Sequence, residues 1–111
     1  MNERGSGSVL AVAVLGAVTI ASGAAVLGFG ALAAQQGVQA AADAAALAAA
    51  DTLSGRDAGY PCENADRAAM LDEASVTACD ADGLVAVVGV SRGWGRLVLT
   101  ARARAGPPGT R

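Results

Sequence analysis

The sequence predicts an α+β protein: a long N-terminal transmembrane helix, then a short helix and a small three-stranded antiparallel sheet. Three observations carry this. No charged side chain occurs from Gly5 to Ala42, residues 75 to 95 read as short apolar runs separated by Asp-Gly and Gly-rich turns, and residues 96 to 105 alternate polar and apolar positions. With 111 residues, one compact domain is the ceiling.

The first element is the most strongly marked. From about Val9 to Leu32 only Thr19 and Ser22 are polar, and a helix needs about 20 such residues to span the hydrocarbon layer. Glycines at 16, 23, 28 and 30 weaken a helix in water, but a bilayer forces backbone groups to bond internally. Arg4 and the initial amine precede the segment, and the next arginine is Arg56, beyond Asp43 and Asp51. The positive-inside tendency therefore puts the N-terminus in the cytoplasm and the remainder on the extracytoplasmic side of the cell membrane. The same pattern admits a secretory signal cleaved at Ala31-Leu32-Ala33, although the apolar run exceeds the usual h-region. Ala13, Ala17, Ala21 and Ala25 recur at four-residue spacing, with Ala24 and Gly28 as a second small pair, a pattern that suits close helix packing in lipid.

Beyond Leu32 the chain continues in alanine, glutamine and aspartate, and the helix should run to about Leu53. Gln36, Gln39, Asp43 and Asp51 share one arc, with an alanine surface opposite. Gly and Pro between Ser54 and Pro61 mark a loop, and Pro61 with Glu63 and Asp66 marks the start of a short helix ending near Glu73. Strands are expected from Ser75 to Cys79 and from Leu84 to Ser91, joined by an Asp-Gly turn, with Arg92 to Gly95 as the next turn. The last strand, Arg96 to Ala105, puts Arg96, Val98, Thr100, Arg102 and Arg104 on one face and Leu97, Leu99, Ala101, Ala103 and Ala105 on the other. Its apolar face needs a cover, and the helix from Gln35 to Leu53 is the nearest candidate. The chain thus divides into a leader-like segment 1–7, a transmembrane helix 8–32, its continuation 33–53, a small domain 54–106 and a flexible tail 107–111.

Cys62 and Cys79 are the two cysteines, seventeen positions apart on the expected extracytoplasmic side, and a disulfide is the economical reading. A zinc site would need further ligands, and the chain has no histidine; two separate buried thiols are the remaining alternative. The arginines of the last strand read as the solvated side of an edge strand or as a contact for anionic lipid or an acidic partner, and Trp94 as an interface residue or a cap on the sheet.

Several functions are excluded as expectations. A net charge of −2 with acids and arginines interspersed provides no basic stripe for nucleic acid. Without histidine, lysine, a phosphate loop or a nucleophile elbow, neither catalysis nor binding of a cofactor, metal or small-molecule substrate is expected. Asp72 and Glu73 adjoin in sequence but point to different sides of a helix, so they make no acid/base pair.

The order Arg4-Gly5-Ser6-Gly7-Ser8-Val9-Leu10, a long apolar helix continuing into an Ala/Gln/Asp helix, and a small cysteine-bridged sheet resembles type IV pilin-like proteins. More narrowly, Ala-Ala-Asp-Ala-Ala-Ala-Leu-Ala-Ala-Ala at 41–50, Cys62, Cys79 and Ala-Arg-Ala-Arg-Ala-Gly-Pro at 101–107 resemble the TadE/TadG-like minor pseudopilins of tight-adherence (Flp) pilus systems, and among these the short actinobacterial TadE-like proteins of secretion-gene neighbourhoods. The resemblance implies prepilin-type processing after Gly5, leaving Ser6 first. It also implies a structural role in a pilus or secretion apparatus, with membrane lipid, other pilin-like subunits and the assembly machinery as partners. Leu10 stands where the family carries a glutamate five residues after the cut. The competing expectations are a single-pass membrane protein that binds an envelope partner, and a secreted small domain released by signal cleavage.

Overall fold

Five elements follow in chain order: α1 (Glu3–Leu53), α2 (Pro61–Leu71), β1 (Ser75–Asp82), β2 (Val85–Trp94) and β3 (Leu97–Ala105). This is the computed structural model of the chain. It describes residues 3–109 and falls into two units, divided between Leu32 and Ala33.

In the first unit, residues up to Leu32 form the apolar part of α1. No proline interrupts it, and a run dominated by Ala, Val, Leu and Gly continues the helix without a break. Thr19 turns its hydroxyl back to the Leu15 carbonyl, 2.8 Å away, so the polar side chain is satisfied without an outside partner.

The second unit packs the remainder of α1 and α2 against the sheet. The strands lie in the order β1-β2-β3, both pairs antiparallel. Each hairpin closes on two residues, Gly83-Leu84 and Gly95-Arg96, with positive φ only at the glycine (62° and 61°). That is the type II′ geometry, in which a side chain at the first loop position is strained. The turns therefore differ from expectation: β1 continues through Asp82, and β2 runs through Arg92 and Gly93 to Trp94. Arg96 is a turn residue and not a member of the arginine face of β3. Cross-strand pairing extended the strands to the last residue able to bond, leaving only two for each loop.

Paired residues share a face, so the registers Cys79–Val88–Ala103, Ala81–Ala86–Ala105 and Val76–Val90–Ala101 define one side of the sheet. Val38, Ala41, Ala42, Ala45, Ala46 and Ala49 of α1 cover it, together with Ala65 and Ala69 of α2 and Ala74. The spacing on α1 is three and four residues, one stripe of a helix. Val38, Val88 and Val90 are the largest fully buried side chains. A core of alanine brings backbones close but removes little area per residue, at about 25 cal/mol per Å², so this unit depends on its other fasteners.

The helix α2 ends earlier than its composition suggests. Leu71 is its last residue, Asp72 caps it, and Glu73 adopts a left-handed conformation with φ 59°. The Ala74 amide bonds to the Ala69 carbonyl and the Glu73 amide to that of Met70, both near 3 Å, which is a Schellman closure. Asp72 and Glu73 thus belong to the cap and not to the helix.

Candidate functional site

Every residue of the first unit from Gly5 to Gly30 is exposed. Val9, Leu10, Leu15, Ile20, Leu27 and Phe29 are each between 65% and 75% exposed. An apolar surface of this extent far exceeds what a helix keeps in contact with water. The segment is long and apolar enough to cross a membrane, with none of its most apolar window buried, and is compatible with a single-pass anchor.

Ala13, Ala17, Ala21, Ala25 and Gly28 lie within this exposed surface, and a β-carbon at Gly16, Gly23, Gly28 or Gly30 would meet no atom within 4 Å. Gly5 and Ser6, the residues on either side of the expected processing point, are exposed and already helical. Side chains of residues 1–4, including Arg4, lie outside the described residues.

Cys62 and Cys79 are joined in a disulfide with a Cα separation of 5.9 Å. It ties the first turn of α2 to the middle of β1. Cys79 stands on the covered face, opposite Val88, whereas Cys62 is exposed. Trp94 is 38% exposed at the end of β2, where it pairs with Leu97.

Three contacts escaped the sequence reading. Gln35 and Gln39 donate from Nε2 to the Thr100 and Arg102 carbonyls, each at 3.0 Å. These are alternate carbonyls on the edge strand β3, so one face of α1 takes the place of a fourth strand. Gln39 is therefore not on a simply solvated arc, although Asp43, with which it also bonds at 3.2 Å, is exposed. Next to them the Arg92 guanidinium lies across α1 at Gly37, with Nη1 2.7 Å from where a β-carbon would sit. Asn64 of α2 bonds both Thr52 of α1 and the Ala58 carbonyl of the intervening loop. A spacing of i, i+4 in glutamine facing alternate residues of a strand is the one signal that pointed to the first contact.

Chemically reactive arrangements do not emerge from these residues. Among the described residues no three His, Cys, Asp or Glu side chains gather as a metal site, and no polar or charged residue is buried. A shallow cleft of about 330 Å³ lies between Leu47, Leu84, Pro107 and Pro108, with the exposed Asp51–Arg56 ion pair (3.9 Å) at its rim. An ion pair so hydrated contributes little. No family model matches the chain, and no curated protein or solved structure is similar enough to it to support an alignment.

Proposed function

We propose that the protein is a membrane-anchored TadE-like pseudopilin, a structural or assembly component of a tight-adherence pilus or a related secretion apparatus. The observation that carries this reading is one helix used for two purposes. From Val9 to Leu32 the helix exposes an apolar surface interrupted by Thr19 and Ser22 alone, and Val38 to Ala50 of the same helix form the floor of a small disulfide-linked sheet unit. Pilin-like subunits need both parts: a stem that resides in lipid until assembly, and a head presented outside. In this reading the N-terminus is cytoplasmic, and the disulfide forms in an oxidising extracytoplasmic compartment.

The role is physical and not catalytic. The stem holds the subunit in the bilayer and meets other pilin-like stems through its small residues, and the assembly machinery draws it into or onto a filament. Leu10 favours a second reading. It is 65% exposed and apolar at the position where assembly of such subunits uses an acid, which suits a single-pass protein that remains in the membrane and binds an envelope partner.

The test is the mass of the mature N-terminus together with the location of the chain. A start at Ser6, recovery in sheared surface filaments and crosslinks to other pilin-like subunits are the expected results. An intact N-terminus with all chain retained in the membrane supports the partner-binding reading, and a start near Ala34 with release from the cell defeats both.

A further inference from the structure

The face of the sheet turned away from α1 has no covering element among the described residues. Asp80, Val87 and Arg104 form one row across it, paired strand by strand, and Ala78, Gly89 and Arg102 form the next. Asp80 and Arg104 are exposed and Val87 is half-buried. Neither charge has an ion-pair partner among the described residues, because two strand spacings of about 4.8 Å hold them apart on the same face.

We infer that this face is an interface with a second copy of the same chain, related by a two-fold axis that runs parallel to β2 and passes between the two sheets over Val87. Such an axis carries β1 of one copy over β3 of the other. Asp80 then faces the partner's Arg104, and Arg104 the partner's Asp80, with Val87 against its own counterpart. The row is self-complementary under that operation, as an isologous contact requires. An anionic surface is a poorer fit for the arginines, since Asp80 and Asp82 share the face.

The direction of α1 supports the same axis. Between Gln35 and Gln39 the helix advances about 6 Å while β3 advances about 6.6 Å from Thr100 to Arg102, so this stretch of α1 runs alongside β3 in the same sense. An axis parallel to the strands preserves that sense in both copies. Residue 33, where the chain leaves this unit, is then at the same end in each, as two chains anchored in one bilayer need. An axis across the strands would set the two ends opposite.

The face is small. Three strands of 8, 10 and 9 residues cover on the order of 400 Å² per copy, well below the ~800 Å² per partner of a standard interface. Association is therefore weak between free copies and becomes effective when both are confined to a membrane. The proposal holds whether the protein is a pseudopilin or a simple anchored subunit.

The test is energy transfer between full-length chains carrying donor or acceptor at the C-terminus, in phosphatidylcholine vesicles at fixed protein-to-lipid ratio. Asp80→Arg and Arg104→Asp should each weaken association about tenfold by setting like charges opposite one another, and the double swap should restore it to within about threefold of the parent chain. Asp80→Asn and Arg104→Gln, which introduce no repulsion, should fall between. Both side chains are exposed, so folding is verified by disulfide formation and circular dichroism. Unchanged association after either reversal overturns the proposal and assigns self-association to the apolar stems. A double swap no stronger than the single reversals overturns it as well, and stronger association with Asp80→Arg would point to lipid contact by the basic face.

Discussion

Asn64 of α2 donates from Nδ2 to the Thr52 hydroxyl of α1 at 2.7 Å, and that hydroxyl donates in turn to the Ala48 carbonyl at 2.8 Å. The same amide nitrogen reaches the Ala58 carbonyl at 3.0 Å. One side chain thus links both helices and the loop between them, in a unit whose buried helix residues are mostly alanine.

Asn64→Ala removes both donors and should cost about 1 to 2 kcal/mol. Asn64→Asp keeps the shape but cannot donate, and it faces the Ala58 carbonyl with a negative charge, so its loss should equal or exceed that of alanine. Urea midpoints of the detergent-solubilised chain, followed by Trp94 fluorescence, compare the two. An aspartate variant as stable as the parent would show that donation to Thr52 and Ala58 contributes nothing.

The Gln35 and Gln39 bonds to β3 are exposed, so each should contribute about 0.5 to 1 kcal/mol. Their larger effect is on the edge. Replacing both with alanine frees two carbonyls of β3 for pairing with another chain, and the double variant should aggregate on mild heating sooner than its loss of stability accounts for. Light scattering at temperatures matched to each variant's Tm measures this.

Glu73 carries the left-handed φ of 59° that glycine adopts freely, whereas α1 closes with Gly55 at φ 85°. Glu73→Gly should raise stability by up to ~1 kcal/mol. Glu73→Val, branched at the β-carbon, should lower it. A midpoint shift of the same sign for both would contradict the assignment of strain to this residue.

Reduction of Cys62–Cys79, or replacement of both by serine, should cost on the order of 3 kcal/mol, as expected for a closed loop of this length. Because α2 buries only Ala65 and Ala69, it should detach first. Hydrogen exchange in reduced protein should therefore accelerate in residues 61–71 before it does in β2.

What sequence alone determined was set by local pattern. The uncharged run from Gly5 to Ala42 specifies a helix of membrane-spanning length, Pro61 marks the start of α2, and the alternation from Arg96 to Ala105 identifies a strand with one covered face, of which Arg96 falls in the turn. These signals are periodic within one element and need no knowledge of neighbours. Only the tertiary structure decided where the hairpins turn, because the type II′ loops at Gly83 and Gly95 depend on how far two strands can pair. It also decided which of the polar residues on α1 meet the sheet: Gln39 and Asp43 lie one helical turn apart and are both exposed, yet Gln39 bonds the Arg102 carbonyl of β3 while Asp43 accepts from Gln39. The difference lies in the position of the β3 edge, which is fixed by pairing between residues more than forty positions further along the chain, and no periodicity within α1 records it.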